Sequence, residues 1–162
     1  MKRLLVLSDT HWPHRGSLSI HSLVEGMDAI IHCGDLQEEG FYEELCSYGI
    51  PVHAVLGNNG DYLLSSLLPD RLVLSMEGVR IGVVHGNGPH PKALMNARRA
   101  FAGEQLDLVL FGHSHVPEDV MIEDCRFVNP GSLTSSRRGY NSYGIIKIEG
   151  KELQVEILPY PS

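Results

Sequence analysis

Apolar residues along the chain gather in short runs, each stopping at a small or polar motif. Leu4-Leu5-Val6-Leu7, Ala29-Ile30-Ile31, Val52 to Leu56, Ile81-Gly82-Val83-Val84 and Leu108-Val109-Leu110-Phe111 have strand length and are rich in β-branched or large aliphatic residues. Between the first three runs, Ser17 to Met27 and Gln37 to Tyr48 read as helices, so the opening third has the alternating order of a doubly wound sheet. Ser17 is placed to cap the first helix, whose apolar face is mixed. After Asn58 the pattern changes. Residues 71–76 and 79–85 read as strands joined at Glu77-Gly78, and Pro91 to Phe101 as a helix with proline near its start and Gly103 past its end. From Asp107 onward the pattern is mainly strand: Leu108 to Phe111, Asp119 to Ile122, Arg126 to Asn129, Tyr143 to Glu149 and Glu152 to Leu158. Turns fall at Glu123-Asp124 and Glu149-Gly150-Lys151. A parallel-type half and an antiparallel half predict an α/β fold of two sheets packed face to face with helices outside. Residues 86–91 and 129–142 read as long loops, and both follow motif-bearing strands.

Composition narrows the setting. At 162 residues and 43% apolar content the chain suits one domain over 1–162, with no repeat or linker-like segment. Cys33, Cys46 and Cys125 form no Cys-x-x-Cys pair, and an odd count argues for reduced thiols and a cytoplasmic location. Met1-Lys2-Arg3 before Leu4 to Leu7 mimics the start of a signal peptide, but the run stops at Ser8-Asp9 and reads better as a first strand. No stretch approaches the roughly 20 apolar residues of a membrane span, so no membrane partner is expected. The net charge of −7 disfavours an extended nucleic-acid partner. It leaves a phosphate substrate open, because bound dications reverse the local field.

The chemistry lies where the runs end, at Asp9-Thr10-His11, Gly34-Asp35, Gly57-Asn58-Asn59, His85-Gly86 and Gly112-His113-Ser114-His115. In open α/β sheets such strand ends converge on one rim. Asp9, His11, Asp35, Asn58, His85, His113 and His115 then form a donor set for two divalent ions, which activate water and absorb charge on phosphoryl oxygens. Mixed nitrogen and oxygen donors favour Mn, taken first here, or Ni, Fe or Zn over Mg and Ca.

In this order the motifs, together with Asn129-Pro130-Gly131-Ser132, resemble the calcineurin-like metallophosphoesterases, in particular their small single-domain bacterial and archaeal phosphodiesterase branch. The resemblance implies a four-layer αββα sandwich with two mixed sheets face to face and helices outside. It implies one ion held by Asp9, His11, Asp35 and His115, and a second by Asp35, Asn58, His85 and His113, with Asp35 bridging. Asp35, Asn58, Asn59 and His85 would form the catalytic set. A hydroxide shared by the ions would attack a small or activated phosphodiester in line. The same site also suits a phosphomonoesterase or a nuclease, and the fold also serves as a non-catalytic scaffold. Scaffolding relatives have lost ligands, whereas every ligand position here is filled. A homo-oligomer is left open, with residues 62–68 as either a subunit contact or a packed helix.

One position departs from the family pattern. Many relatives carry a His after the metal-binding Asn, where it helps protonate the leaving group; here it is Asn59, which cannot act as a general acid. Gly60 also separates it from Asp61, an acid that the small branch usually carries one position earlier. Substrates with good leaving groups are therefore expected to be cleaved best.

A lone His at a strand end usually serves packing, and only the motif context lifts His11, His85, His113 and His115 above that reading. His32 is expected to pack or to orient a ligand, and His53 to be structural. His14, His21 and His90 carry no motif, although His14 and His90 sit in loops after ligand-bearing strands. Asn129 to Ser132 is assigned a supporting role beside the site. Arg137 and Arg138 read as surface residues with the right chemistry for phosphate. Trp12 reads as packing or pocket wall.

Overall fold

The structure, a computed structural model, describes residues 1–10, 20–37, 39–58, 62–137 and 139–160. Strands β1 (Lys2–Leu7), β2 (Ala29–His32) and β3 (Val52–Ala54) run parallel, with Leu5 opposite Ile30 and Ile30 opposite Val52. Helices α1 (His21–Val24), α2 (Glu39–Ser47) and α3 (Tyr62–Leu67) lie between and after them in sequence. Then come β4 (Arg71–Met76) and β5 (Val79–Val84), a 3-10 turn at His90–Lys92, and α4 (Ala93–Ala100). The chain continues through β6 (Leu108–Leu110), β7 (Glu118–Ile122), β8 (Cys125–Asn129), β9 (Ser142–Glu149) and β10 (Glu152–Pro159).

The strands form two five-stranded sheets, ordered β10-β9-β1-β2-β3 and β4-β5-β6-β8-β7. Period-2 alternation explains the layers. Leu4 and Val6 of β1 face Ile81, Val83, Leu108, Leu110 and Val128 between the sheets, while Leu5 and Leu7 face Val24, Phe41, Leu45 and Leu64 of the helices. On the far side Val109, Phe111 and Phe127 pack under Ala93, Ala97 and Phe101 of α4 and its end. This is the expected four-layer αββα sandwich with two mixed sheets. Leu5, Leu108 and Leu110 are fully buried, and truncating any one to Ala costs about 2–5 kcal/mol.

The parallel and antiparallel halves of the sequence do not become separate sheets. β9 pairs antiparallel with β1, so the last hairpin returns to the first sheet, and each sheet has a parallel trio, β1-β2-β3 or β5-β6-β8. Several elements are also shorter than their patterns. The helix expected over 17–27 is described only at His21–Val24, because Gly26 turns left-handed at φ 80°, and Ser17 lies outside the described residues. Gln37, at φ 76°, stands outside α2, and Gly49, at φ 80°, follows its end. The strand expected to reach Leu56 ends at Ala54, since Leu56 N–H turns away to donate to Pro69 O at 2.9 Å. The helix expected from Pro91 begins as the 3-10 turn. Near 62–68, Leu64 is buried while Leu63 and Leu67 are exposed.

Candidate metal centre

The carboxyl ends of the two parallel trios meet at one rim. Asp9 follows β1, Asp35 follows β2, Asn58 follows β3, His85 follows β5, and His113 and His115 follow β6. Among the described residues, the first sheet thus supplies oxygen donors and the second sheet imidazoles. Asp9, Asp35, His113 and His115 hold left-handed backbones, at φ 51°, 61°, 72° and 62°. Such φ values cost non-glycine residues about 1–2 kcal/mol each, and their clustering at one rim marks a candidate functional site. Glycine is needed beside them. A Cβ on Gly34, at φ 106°, would lie 2.5 Å from His85 Nδ1, and one on Gly112 would strike Ser8 and Asp9.

The side chains converge. His85 Nε2 lies 3.3 Å from Asp35 Oδ2, 3.6 Å from Asp9 Oδ1 and 3.2 Å from His113 Nδ1. His115 Nε2 lies 3.3 Å from Asp9 Oδ1. Asp35, His85 and His113 each offer one donor atom within 4.8 Å of the others. Asp9 is 0% exposed and Asp35 1%, which is costly for carboxylates unless cations or donors compensate. Asn58 backbone N–H donates to Asp35 Oδ1 at 2.8 Å. With its NH2 group inward, the Asn58 side chain also donates to Asp35 at 2.9 and 3.0 Å and to His85 Nε2 at 3.0 Å. Turned the other way, its oxygen faces those same acceptors, an arrangement that a cation reconciles.

Backbone carbonyls fix the imidazole tautomers. His85 Nδ1–H donates to Cys33 O at 2.7 Å, His113 Nε2–H to Gly88 O at 2.6 Å, and His115 Nδ1–H to Ser135 O at 2.7 Å. A carbonyl can only accept, so each neutral ring keeps its lone pair on the nitrogen that faces the cluster. Metal-binding histidines are ordinarily oriented this way, and the donor set fits divalent ions. Burial and neighbouring charge act in opposite net senses on His85 and His113. Burial opposes charge on His85, but the Asp35 contact and the Asp9 and Asp35 charges outweigh it and raise its pKa. Burial lowers that of His113, with His85 and His90 adding to the effect.

Surrounding groups hold the loops. Asp9 Oδ2 accepts from Ser8 Oγ at 2.7 Å and from His113 N–H at 2.9 Å. Ser132 Oγ donates to Asp9 O at 2.7 Å, and Asn129 Nδ2 donates to Gly112 O at 3.1 Å and Ser114 Oγ at 3.0 Å. The Asn129 to Ser132 segment therefore supports both aspartate and histidine loops. Buried His32 accepts from Gly34 N–H at 3.1 Å and contacts Thr10 Oγ1 at 3.2 Å, an orienting role. His53 sits half-buried in β3. His11, Trp12, His14, Asn59 and Arg138 lie outside the described residues. His90, which carries no motif, stacks on His113 with centroids 4.2 Å apart. Its only signal was a place in the loop after a ligand-bearing strand.

The chain matches the family described as "Calcineurin-like phosphoesterase superfamily domain" over residues 1–151. It is 33% identical over 161 residues to a "probable metallophosphoesterase" of Methanocaldococcus jannaschii, covering 95% of this chain and 79% of that one. A phosphodiesterase of the same organism is 25% identical over 167 residues, with coverage of 94% and 97%. Among solved structures, a zinc complex of Vps29 from Entamoeba histolytica superposes with a TM-score of 0.73 over 98% of this chain and 99% of that one, at 23% identity. That last likeness concerns the fold alone.

Proposed function

The chain belongs to the calcineurin-like phosphoesterase superfamily, and on that premise we propose that it is a phosphodiesterase with a dinuclear metal centre, acting on a small or activated phosphodiester. The observation that carries this reading is the pairing of buried carboxylates with three imidazoles whose lone pairs are turned inward by backbone carbonyls. Asp9, His11, Asp35 and His115 would hold one ion, and Asp35, Asn58, His85 and His113 the other. When bound, two divalent ions supply a nucleophile from water at neutral pH and neutralise charge on the non-bridging phosphoryl oxygens. Manganese is the first candidate, with Ni, Fe or Zn as alternatives.

The chain's own groups do the positioning. Asn58 N–H and Ser8 Oγ each hold one carboxylate oxygen of Asp35 and Asp9 respectively, which sets the direction of the other oxygen. Asn59 in place of an acid directs the reaction toward esters with good leaving groups. The acidic chain disfavours extended nucleic acid, and the free cysteines fit a cytoplasmic setting. No helix among the described residues is long and apolar enough to cross a membrane. The scaffold alternative rests on likeness of fold, whereas here the candidate ligand positions are filled.

The test is to strip the protein with chelator, restore Mn, Ni, Zn or Mg, and follow bis-p-nitrophenyl phosphate beside p-nitrophenyl phosphate. Metal-restored turnover favouring the diester, abolished in Asp35→Asn, is expected. A preference for the monoester would move the assignment to a phosphomonoesterase. Absence of turnover with two ions bound would overturn the enzymatic reading.

A further inference from the structure

Beyond the donor set, one cation stands at the rim in a built arrangement. Arg137 is exposed, yet it is tethered at both ends. Its backbone N–H donates to His115 O at 3.3 Å, and its guanidinium Nη2 lies 3.4 Å from His90 Nε2. His90 is itself fixed. Its Nδ1–H donates to His113 O at 2.8 Å, which leaves Nε2 as the acceptor that meets Arg137. Its ring lies parallel to His113, at 4.2 Å and 11°, and edge-on to His115 at 6.0 Å. One side chain therefore touches two candidate metal ligands and the arginine. The 3-10 turn that carries His90 and the loop that carries Arg137 follow different strands, so their meeting beside His113 and His115 is a tertiary feature.

We propose that Arg137 is a substrate-binding residue that takes an anionic phosphoryl oxygen beside the metal centre, and that His90 is a positioning residue holding the guanidinium there. The proposal deepens the phosphodiesterase reading and rests on it for the substrate class. A guanidinium has five donors in a planar fork matched to phosphate, and His90 engages one of them. In a chain of charge −7, a cation held beside His90 also favours the approach of an anion. The contact is made to the bound ester, so it acts mainly on KM and phosphate affinity and leaves kcat nearly unchanged.

The test uses the full chain loaded with manganese. Inorganic phosphate binding is measured by calorimetry, and bis-p-nitrophenyl phosphate turnover by steady-state kinetics. Arg137→Gln is expected to weaken phosphate binding and raise KM, each by about tenfold, with kcat within about twofold. Arg137→Lys should recover part of the loss, since it restores charge but lacks the fork. His90→Phe keeps a ring to stack on His113 but removes the acceptor. It should raise KM with metal content unchanged, and combining it with Arg137→Gln should add little. Arg98→Gln, exposed on α4, controls for the general loss of one positive charge and should leave KM unchanged.

Unchanged phosphate affinity in Arg137→Gln, or absence of phosphate binding to the loaded wild type, overturns the subsite. Loss of metal in His90→Phe overturns the positioning role. If the wild type binds phosphate through Arg137 yet hydrolyses no ester, the phosphodiesterase reading fails while the subsite stands.

Discussion

The two sheets contribute unlike halves to one centre. From β1, β2 and β3 come Asp9, Asp35 and Asn58, which offer oxygen; from β5 and β6 come His85, His113 and His115, which offer nitrogen. The oxygen half carries buried negative charge, which cations or hydrogen-bond donors must compensate. The nitrogen half is neutral when its ring protons are given to Cys33, Gly88 and Ser135 carbonyls. Among the described residues, charge and orientation are therefore divided between the sheets, and changes at these positions on the two sides should not be equivalent. The other end of the second sheet offers a further contrast. A groove there, lined by Arg80, Arg98, Arg99, Glu104, Asp107 and Lys151, mixes both charges and gathers no buried carboxylate. Concavity alone does not make a centre.

The largest effect tests that division. Asp35→Asn removes the buried charge beside His85 that the proposed function shares between both ions, and bound metal should fall below one ion per chain, with kcat/KM down by at least about 1,000-fold. His115→Gln removes one neutral donor on one side and should leave about one ion per chain. Elemental analysis after dialysis distinguishes the two outcomes. Equal metal loss in both variants would break the proposed asymmetry.

Gly34→Ala comes next. It leaves every candidate donor in place, but its Cβ would lie 2.5 Å from His85 Nδ1 and 3.0 Å from Gly57 Cα, on a backbone at φ 106°. A stability loss of about 2–4 kcal/mol in denaturant titration is expected, with weakened metal binding. Gly78→Ala, where a Cβ would meet nothing within 4 Å, shares the left-handed backbone at φ 80° without the clash. It should lose only about 1 kcal/mol. Similar losses in both would show that φ, and not contact with His85, sets the cost.

Much of this geometry was legible in the sequence because local and tertiary signals agreed. Leu4 to Leu7 reads as a strand and ends at Asp9, and the glycines in Gly34-Asp35 and Gly112-His113 mark the tight approaches. Helix ends were less legible, because Gly26 and Gln37 stop or exclude helix through φ values that hydrophobic periodicity does not encode. Sheet membership of β9 was invisible, since its alternation fits either sheet and only long-range pairing with β1 decides. The carbonyl partners Cys33, Gly88 and Ser135 were also hidden: a backbone acceptor has no residue signature. Arg137 and His90 met only through folding, across two loops.

Proton and metal should compete for the nitrogen half. In the metal-free protein His85 has a pKa raised above its ordinary 6.5, burial being outweighed by Asp35 and Asp9. A raised folded value contributes stability that is fully present below pH 6.5 and is lost as pH rises through the folded value. Metal-free wild type should therefore lose stability relative to His85→Gln as pH rises above 6.5, by about 1 kcal/mol per unit shifted. His113, lowered mainly by burial, acts oppositely in the window below 6.5. With manganese added, the trend above 6.5 should reverse, because unprotonated His85 binds the ion more tightly. Thermal melts from pH 5.5 to 8.5, with and without metal, read both slopes. A flat difference between wild type and His85→Gln without metal would remove the proton from this account.

A further effect concerns the support of the oxygen half. Ser132 Oγ donates to Asp9 O at 2.7 Å and accepts from Thr134 N–H at 3.3 Å and Ser135 N–H at 2.8 Å, while Ser135 O holds His115. One buried hydroxyl thus joins the backbone of a carboxylate on the first sheet to the loop that orients an imidazole on the second. Ser132→Ala removes one donor to that carbonyl, which keeps Thr134 Oγ1 at 3.3 Å, and takes this acceptor from two amides, at a cost of about 1–3 kcal/mol. Ser47→Ala, which removes an exposed hydroxyl bonded only to Glu44 O, should stay within about 0.5 kcal/mol. The activity readout is sharper than the melt. If Ser132 acts by aligning Asp9 with His115, its loss should lower kcat several-fold at saturating metal, whereas a purely structural role would leave kcat intact once the protein is folded. Joining the two halves would then be a task of the loop after β8, which supplies no candidate metal donor of its own.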